Sequence, residues 1–220
     1  DKGHYASIAG DSLKISEQFG IDTLCFVNGG TQFAYYLNIA PVPFDGLGTE
    51  EEPYLIQTRS DLETLSKITT INKQYFPATY FRKTADIDLG YSEDFIGIAA
   101  DGPDAHSQFA GIYDGGGFTI HKMRVRGLKW KTAPSADNGW LGTPLTGTTG
   151  SYSYQGFIGR LHTDGVLRNL RFAADCDATT EVWASSGLAV GANNGLIENV
   201  RNYADITGIS CWIGGVAGMN

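Results

Sequence analysis

The sequence predicts an all-β protein whose later part is a parallel β-helix. Three observations carry that reading. Glycine supplies 29 of 220 residues, against roughly 7% in average usage, and the glycines are spread along the chain as closely spaced turns require. Two patterns return at fixed steps, 30 residues in one case and 27 in the other. No repeat contains a helical pattern. Periods of about 20–50 residues mark solenoids and propellers. A propeller blade needs roughly 40–45 residues per repeat, so the coils of a parallel β-helix fit better.

Taken in order, residues 1–43 read as short β-strands: His4–Ala9, Ser12–Glu17, Thr23–Val27 and Gln32–Ile39. Asn28-Gly29-Gly30 tolerates positive φ, so the last two form a hairpin. This antiparallel region, a candidate end of a β-sandwich, closes at Pro41 and Pro43. Residues 44–108 form the lead-in to the β-helix, and 109–220 its glycine-rich coils. In the lead-in, Ser60-Asp61-Leu62-Glu63 matches a capping box. Leu62, Leu65 and Ile68 follow at helical spacing, so a helix of about two turns is expected. Tyr80-Phe81-Arg82 and Ala85-Asp86-Ile87-Asp88-Leu89 alternate as strands.

The coils are defined by self-similarity. Gly117–Met123, Asp164–Leu170 and Asn194–Val200 stack by pattern, each with a glycine turn and two apolar residues three places apart. Asn169 to Asn199 is the step of 30. Gly187–Asn193 aligns with Gly214–Asn220 at the step of 27, and Gly156-Phe157-Ile158-Gly159 is a shorter version of the same element. Asparagine accepts the left-handed conformation at a corner, and its amide can bond the equivalent Asn of the next coil. Gly218-Met219-Asn220 stands where Gly191-Ala192-Asn193 stands one coil earlier. An uncapped coil exposes strand edges, so further coils, a cap or a pairing neighbour are expected there.

At Gly191-Ala192-Asn193-Asn194-Gly195-Leu196-Ile197-Glu198-Asn199 the sequence resembles the GLUG-motif repeats of bacterial surface proteins. The order of Pro53-Tyr54-Leu55-Ile56, Asp61-Leu62, Ala85–Leu89 and Phe109–Ile120 is similar to the usual approach to such a β-helix. The resemblance covers about residues 44–220. It departs at Gly159-Arg160-Leu161, where Gly-x-Asn is missing. It implies a right-handed parallel β-helix with the helix near Leu62 at the N-terminal end of the stack, on an adhesin-like protein outside the cell.

Charge and composition exclude some classes. The net charge is −8, and no basic stripe is present, which argues against nucleic acid. The basic residues at Lys122–Arg126, Lys129 and Lys131 read as a solvated strand face. No apolar run approaches the ~18 residues of a membrane span. The chain starts at Asp1 without Met, so the absence of a signal peptide says nothing about compartment. Cys25, Cys176 and Cys211 form no disulfide framework and read as free core cysteines, with a Cys176–Cys211 bridge as the alternative.

No catalytic constellation stands out. His4, His106, His121 and His162 lack metal-ligand spacing. Asp86 and Asp88, on one strand face and joined by Asp114 if its coil stacks alongside, are the candidates for a Ca2+ site or for the paired carboxylates of a glycosidase or lyase. Strand-end and turn hydrogen bonding explains the same residues. The insertion at 127–155 carries Trp130, Trp140, Tyr152 and Tyr154, rings suited to stacking on a glycan or to covering the coil surface. The expected function is an extracellular surface module for adhesion or display, non-catalytic and without a cofactor. A glycan or a host or matrix surface is the expected partner, and further domains of the same protein are expected. The alternatives are a carbohydrate-active β-helix enzyme and a glycan-binding module.

Overall fold

The computed structural model describes residues 6–9, 12–15, 20–28, 31–39, 43–71, 74, 76–100, 108–124, 129–132, 143–145, 154–180, 185–208 and 212–220. The chain divides into two compact units, Asp1–Pro43 and Phe44–Asn220. In the first, Ala6–Ala9 pairs antiparallel with Ser12–Ile15, and Gly20–Asn28 with Thr31–Ile39. The second pair is in register from Gly20↔Ile39 to Asn28↔Thr31, the antiparallel pairing expected of a hairpin.

The second unit is a parallel β-solenoid. Its deepest sheet stacks five parallel strands: Tyr54–Ile56, Tyr80–Lys83, Ile112–Asp114, Val166–Arg168 and Leu196–Glu198. A second sheet stacks Ile87–Asp88, Thr119–His121, Arg171–Phe172 and Arg201–Asn202. A third stacks Ile158–Leu161, Val190–Asn193 and Ala217–Met219. Two further parallel pairs complete the later coils, Ala178–Thr180 with Ile206–Gly208 and Ser185–Gly187 with Trp212–Gly214.

Parallel register places like positions above one another, so alternation within each strand becomes inward and outward columns. Phe81, Tyr113 and Leu167 form one buried inward column. Ile87, Ile120 and Phe172 form another. Aromatic rings link the columns across the interior. Phe157 meets Tyr113 at 5.1 Å between centroids, and Phe95 and Phe172 at 5.7 Å. Phe81 likewise touches Phe44, Tyr54, Phe76 and Phe109.

The helix spans Arg59–Thr70, longer than two turns, and its N-cap is Thr58 rather than Ser60. Thr58 Oγ1 accepts from Asp61 N–H, and Asp61 Oδ2 accepts from Thr58 N–H at 2.8 Å. The box is therefore Thr58–Asp61, two residues earlier than the spacing from Glu63 suggested. This register points Leu62 and Leu65 into the core. It also turns a buried hydroxyl row toward residues 96–100. Ser66, Thr69 and Thr70 accept from the N–H groups of Ile96, Ala99 and Ala100 at 3.0–3.1 Å. Ile98 bridges Ile158 at the edge of the third sheet, so the helix satisfies backbone donors that would otherwise be left unpaired there.

The repeat steps appear as strand register. Gly187 pairs with Gly214 and Leu167 with Ile197, as aligned. The segment Gly117–Met123 is displaced from its expected partner. Val166–Arg168 lies on Ile112–Asp114, and Thr119 lies on Arg171 in the neighbouring sheet. The missing Gly-x-Asn leaves the third sheet regular, because buried Leu161 takes the register of Asn193.

Candidate functional site

The sequence singled out three carboxylates and four aromatic residues. Asp88 lies in its strand, but Asp86 precedes that strand, which covers only Ile87–Asp88. Asp86 Oδ1 accepts from Thr119 N–H at 2.6 Å. Asp88 Oδ1 accepts from Gly90 N–H, and its Oδ2 meets Lys122 Nζ at 2.7 Å. The Lys122 hydrogen bond leads the causes that hold the Asp88 carboxyl below its usual range.

Asp114 belongs to the other sheet. It ends the strand Ile112–Asp114 in register with Arg82 on one side and Arg168 on the other. Arg168 Nε donates to it at 3.0 Å, Asn169 Nδ2 at 3.1 Å and Gly116 N–H at 2.9 Å. Burial acts to raise its pKa, but these three donors outweigh that and hold the carboxyl low. Arg82, Asp114, Arg168 and Glu198 thus make an outward column of alternating charge.

A second polar stripe crosses the sheet at Asp88. His121 Nδ1 lies 3.4 Å from Asp175 Oδ2, and Asp175 Oδ1 accepts from Lys122 N–H at 3.2 Å. Tyr91 donates to Asp175 O at 3.0 Å and carries the Arg124 guanidinium over its ring at 4.9 Å. These groups tie coils together, and the Tyr91–Asp175 bond spans the coil between them. Among the described residues, no group of three or more His, Cys, Asp or Glu is placed to hold a metal ion.

Of the aromatic candidates, Tyr154 is half-buried with Arg160 over its ring at 5.5 Å. Trp130 lies in the strand Lys129–Thr132, which pairs antiparallel with Thr143–Leu145. Trp140 and Tyr152 lie outside the described residues. The insertion therefore contains its own two-stranded sheet, separate from the coil sheets.

The chain is similar to halomucin of Haloquadratum walsbyi. The two are 29% identical over 183 residues, which is 80% of this chain and 2% of halomucin. The chain thus spans a small fraction of that relative's length. No protein-family profile matches the chain, and no solved structure does. Among the described residues, no helix is long and apolar enough to cross a membrane.

Sequence reasoning missed Lys83. Its side chain is fully buried, donates to Thr119 O at 2.7 Å and lies 5.5 Å from the Phe118 ring. Burial pushes its amine down to about 7, with Asp86 acting the other way. Alternation was the available signal, since Phe81 and Lys83 share a strand face. Arg168 and Asn169, which complete the Asp114 cluster, lie in the repeat Asp164–Leu170, and only the coil stacking pairs them with Asp114. Cys176 is a buried free thiol, its Sγ 3.5 Å from Ile120 O, and burial pushes it up to about 11. Such a thiol behaves as a core residue, not a nucleophile.

Proposed function

We propose that this chain is a non-catalytic module of an extracellular surface protein, serving as a stiff spacer in adhesion or display. The supporting observation is the use made of its polar side chains. Asp88, Asp114, Lys122, Arg168 and Asp175 are bonded across coils, so the charges stiffen the stack instead of converging on a substrate position. The likeness to halomucin supports a surface role, as does the GLUG-type repeat sequence. The test is incubation of the chain with a panel of acidic and neutral polysaccharides. No new reducing ends and no unsaturated products are expected. Turnover that disappears in Asp88→Ala or Asp114→Ala would replace this reading with a carbohydrate-active enzyme, the finding expected if these carboxylates act as acid and base.

A second reading is glycan binding by the insertion at 127–155. It is favoured by the separate antiparallel pair Lys129–Thr132 and Thr143–Leu145, which the coil does not need for its own pairing. Loops on a rigid scaffold commonly carry recognition. A glycan array comparing wild type with Trp130→Ala and Trp140→Ala tests it. Retained signal in both variants, or none in wild type, rejects it.

A further inference from the structure

Charged side chains that stack between the described coils meet opposite charges. Arg82, Asp114, Arg168 and Glu198 alternate along one outer column. Lys122 reaches Asp88 at 2.7 Å on the other sheet. Arg171 and Arg201 depart from this pattern. They lie directly opposite each other on adjacent parallel strands, and like charges so placed destabilise a sheet. Acids to avoid the clash are plentiful, with 24 Asp and Glu against 16 Lys and Arg.

Nothing in the described residues relieves the pair. Both side chains are exposed, and neither guanidinium has an ion-pair or hydrogen-bond partner among the described residues. Arg171 is flanked on both sides, by Thr119 and by Arg201, so its want of an acid is not an edge effect. Asp86, beside the strand beyond Thr119, already accepts from Thr119 N–H. The backbone under the pair is regular. Arg171 N–H donates to Phe118 O at 3.2 Å and Arg201 N–H to Leu170 O at 2.9 Å, and positive φ falls at the corners Asn169 and Asn199 instead. The ladder therefore holds the two arginines about one strand spacing, ~4.8 Å, apart. A local rule broken without strain marks a functional position. Two residues on, alternation puts Tyr203 on the outer face with Arg201. Its N–H continues the ladder to Phe172 O at 3.0 Å, which sets it beside the small Ala173.

We infer that Arg171, Arg201 and Tyr203 form a binding site for an acidic saccharide. Its carboxylate or sulfate sits between the two guanidiniums, whose planar forks present paired donors to such a group. An anion there turns their repulsion into attraction. The tyrosine ring offers an apolar face to the sugar ring and a hydroxyl at its rim. The site is separate from the insertion at 127–155, and it goes beyond the spacer reading without resting on it.

Isothermal titration of the whole chain with a galacturonate hexamer, its methyl ester and a sulfated maltohexaose tests the site. Wild type is expected to bind an acidic hexamer, the tighter of the two naming the anion, and not the ester. Arg171→Gln and Arg201→Gln are each expected to weaken that binding about tenfold or more, through loss of charge-assisted bonds. Tyr203→Ala is expected to weaken it about threefold or more. Arg82→Gln, at another exposed arginine, and Trp140→Ala, in the insertion, are expected to leave it unchanged. Melting of Arg171→Gln is expected at or above the wild-type temperature, since a like-charge contact is removed. A lower melting temperature would make the pair structural and overturn the inference. No binding of either acidic hexamer, binding that Arg171→Gln leaves intact, or equal binding of the ester would also overturn it. So would free sulfate bound as tightly as the hexamers, or a hexaglutamate peptide bound as tightly, which would assign the pair to an acidic protein.

Discussion

Asn199 donates its side-chain amide to the side-chain oxygen of Asn169 one coil below, at 2.9 Å. Both residues sit at positive φ, 49° and 54°. One residue type meets two demands here, the left-handed corner and the bond along the stack. Asn199→Ala removes the bond and strains the corner, at a cost of about 1–2 kcal/mol. Asn199→Gly keeps the corner and loses only the bond, so it costs less. Asn169→Ala costs more than either, since Asn169 also donates to Asp114. Urea denaturation of the three variants checks that order.

Lys83 gives the protein an alkaline gain in stability. Its amine titrates at about 7 when folded, below the 10.5 of a free lysine. Between those values the unfolded chain holds a proton that the folded chain has released, so stability rises with pH across that window. The slope is at most about 1.4 kcal/mol per pH unit. Tyr113 acts the other way above its ordinary value of 10, because burial raises its phenol. Thermal denaturation from pH 6 to 10 is expected to show the rise in wild type and a flatter profile in Lys83→Met.

Asp114 supplies stability that also rises with pH, but in the acid window. Its folded pKa is depressed, so its contribution is present above the unfolded value of about 3.9 and is lost as pH falls through the folded value. Asp114→Asn is expected to cost about 1–3 kcal/mol at pH 7, because Arg168 loses its carboxylate and hydrogen-bond acceptors change. The acid limb of the pH–stability curve should be shallower in the variant.

Gly191 is fixed by space. A Cβ there would lie 2.7 Å from both Gln155 N and Gly159 O, which are backbone atoms. Gly191→Ala is therefore expected to cost about 1–3 kcal/mol or more through displaced strands. At Gly215 the nearest atom to an added Cβ is Asn202 Nδ2 at 3.9 Å. Gly215→Ala is expected to be close to neutral. Calorimetric melting temperatures of the two variants separate crowding from turn preference.

The coils were legible because the later ones repeat without interruption. The alignments of Gly187 with Gly214 and Asn169 with Asn199 are the observed registers. The first coil was misread for a physical reason. Where later coils turn on Asn169 and Asn199, it turns through Gly115-Gly116-Gly117, with positive φ at Gly116 and Gly117. The glycine signal thus fell after the strand Ile112–Asp114 and not before it. The helix cap was placed two residues late because Ser60 and Thr58 are both competent caps, and packing of Leu62 and Leu65 decides between them. Among the candidate acids, Asp88 and Asp114 accept backbone hydrogen bonds from Gly90 and Gly116. Their cationic partners, Lys122 and Arg168, lie 34 and 54 residues away, a distance only the stacking closes.

The coils stack in parallel, with Arg201 above its counterpart Arg171, 30 positions earlier. Arg171 and Arg201 are exposed and in register on adjacent strands, and Thr119 lies one strand beyond Arg171. Spin labels at Arg171→Cys and Arg201→Cys should sit about one strand spacing apart, ~4.8 Å between backbones. Their continuous-wave resonance spectrum is expected to be strongly broadened, and that of labels at Thr119→Cys and Arg201→Cys more weakly. Sharp, unbroadened spectra from the Arg171–Arg201 pair would contradict the stacked register on which the account rests.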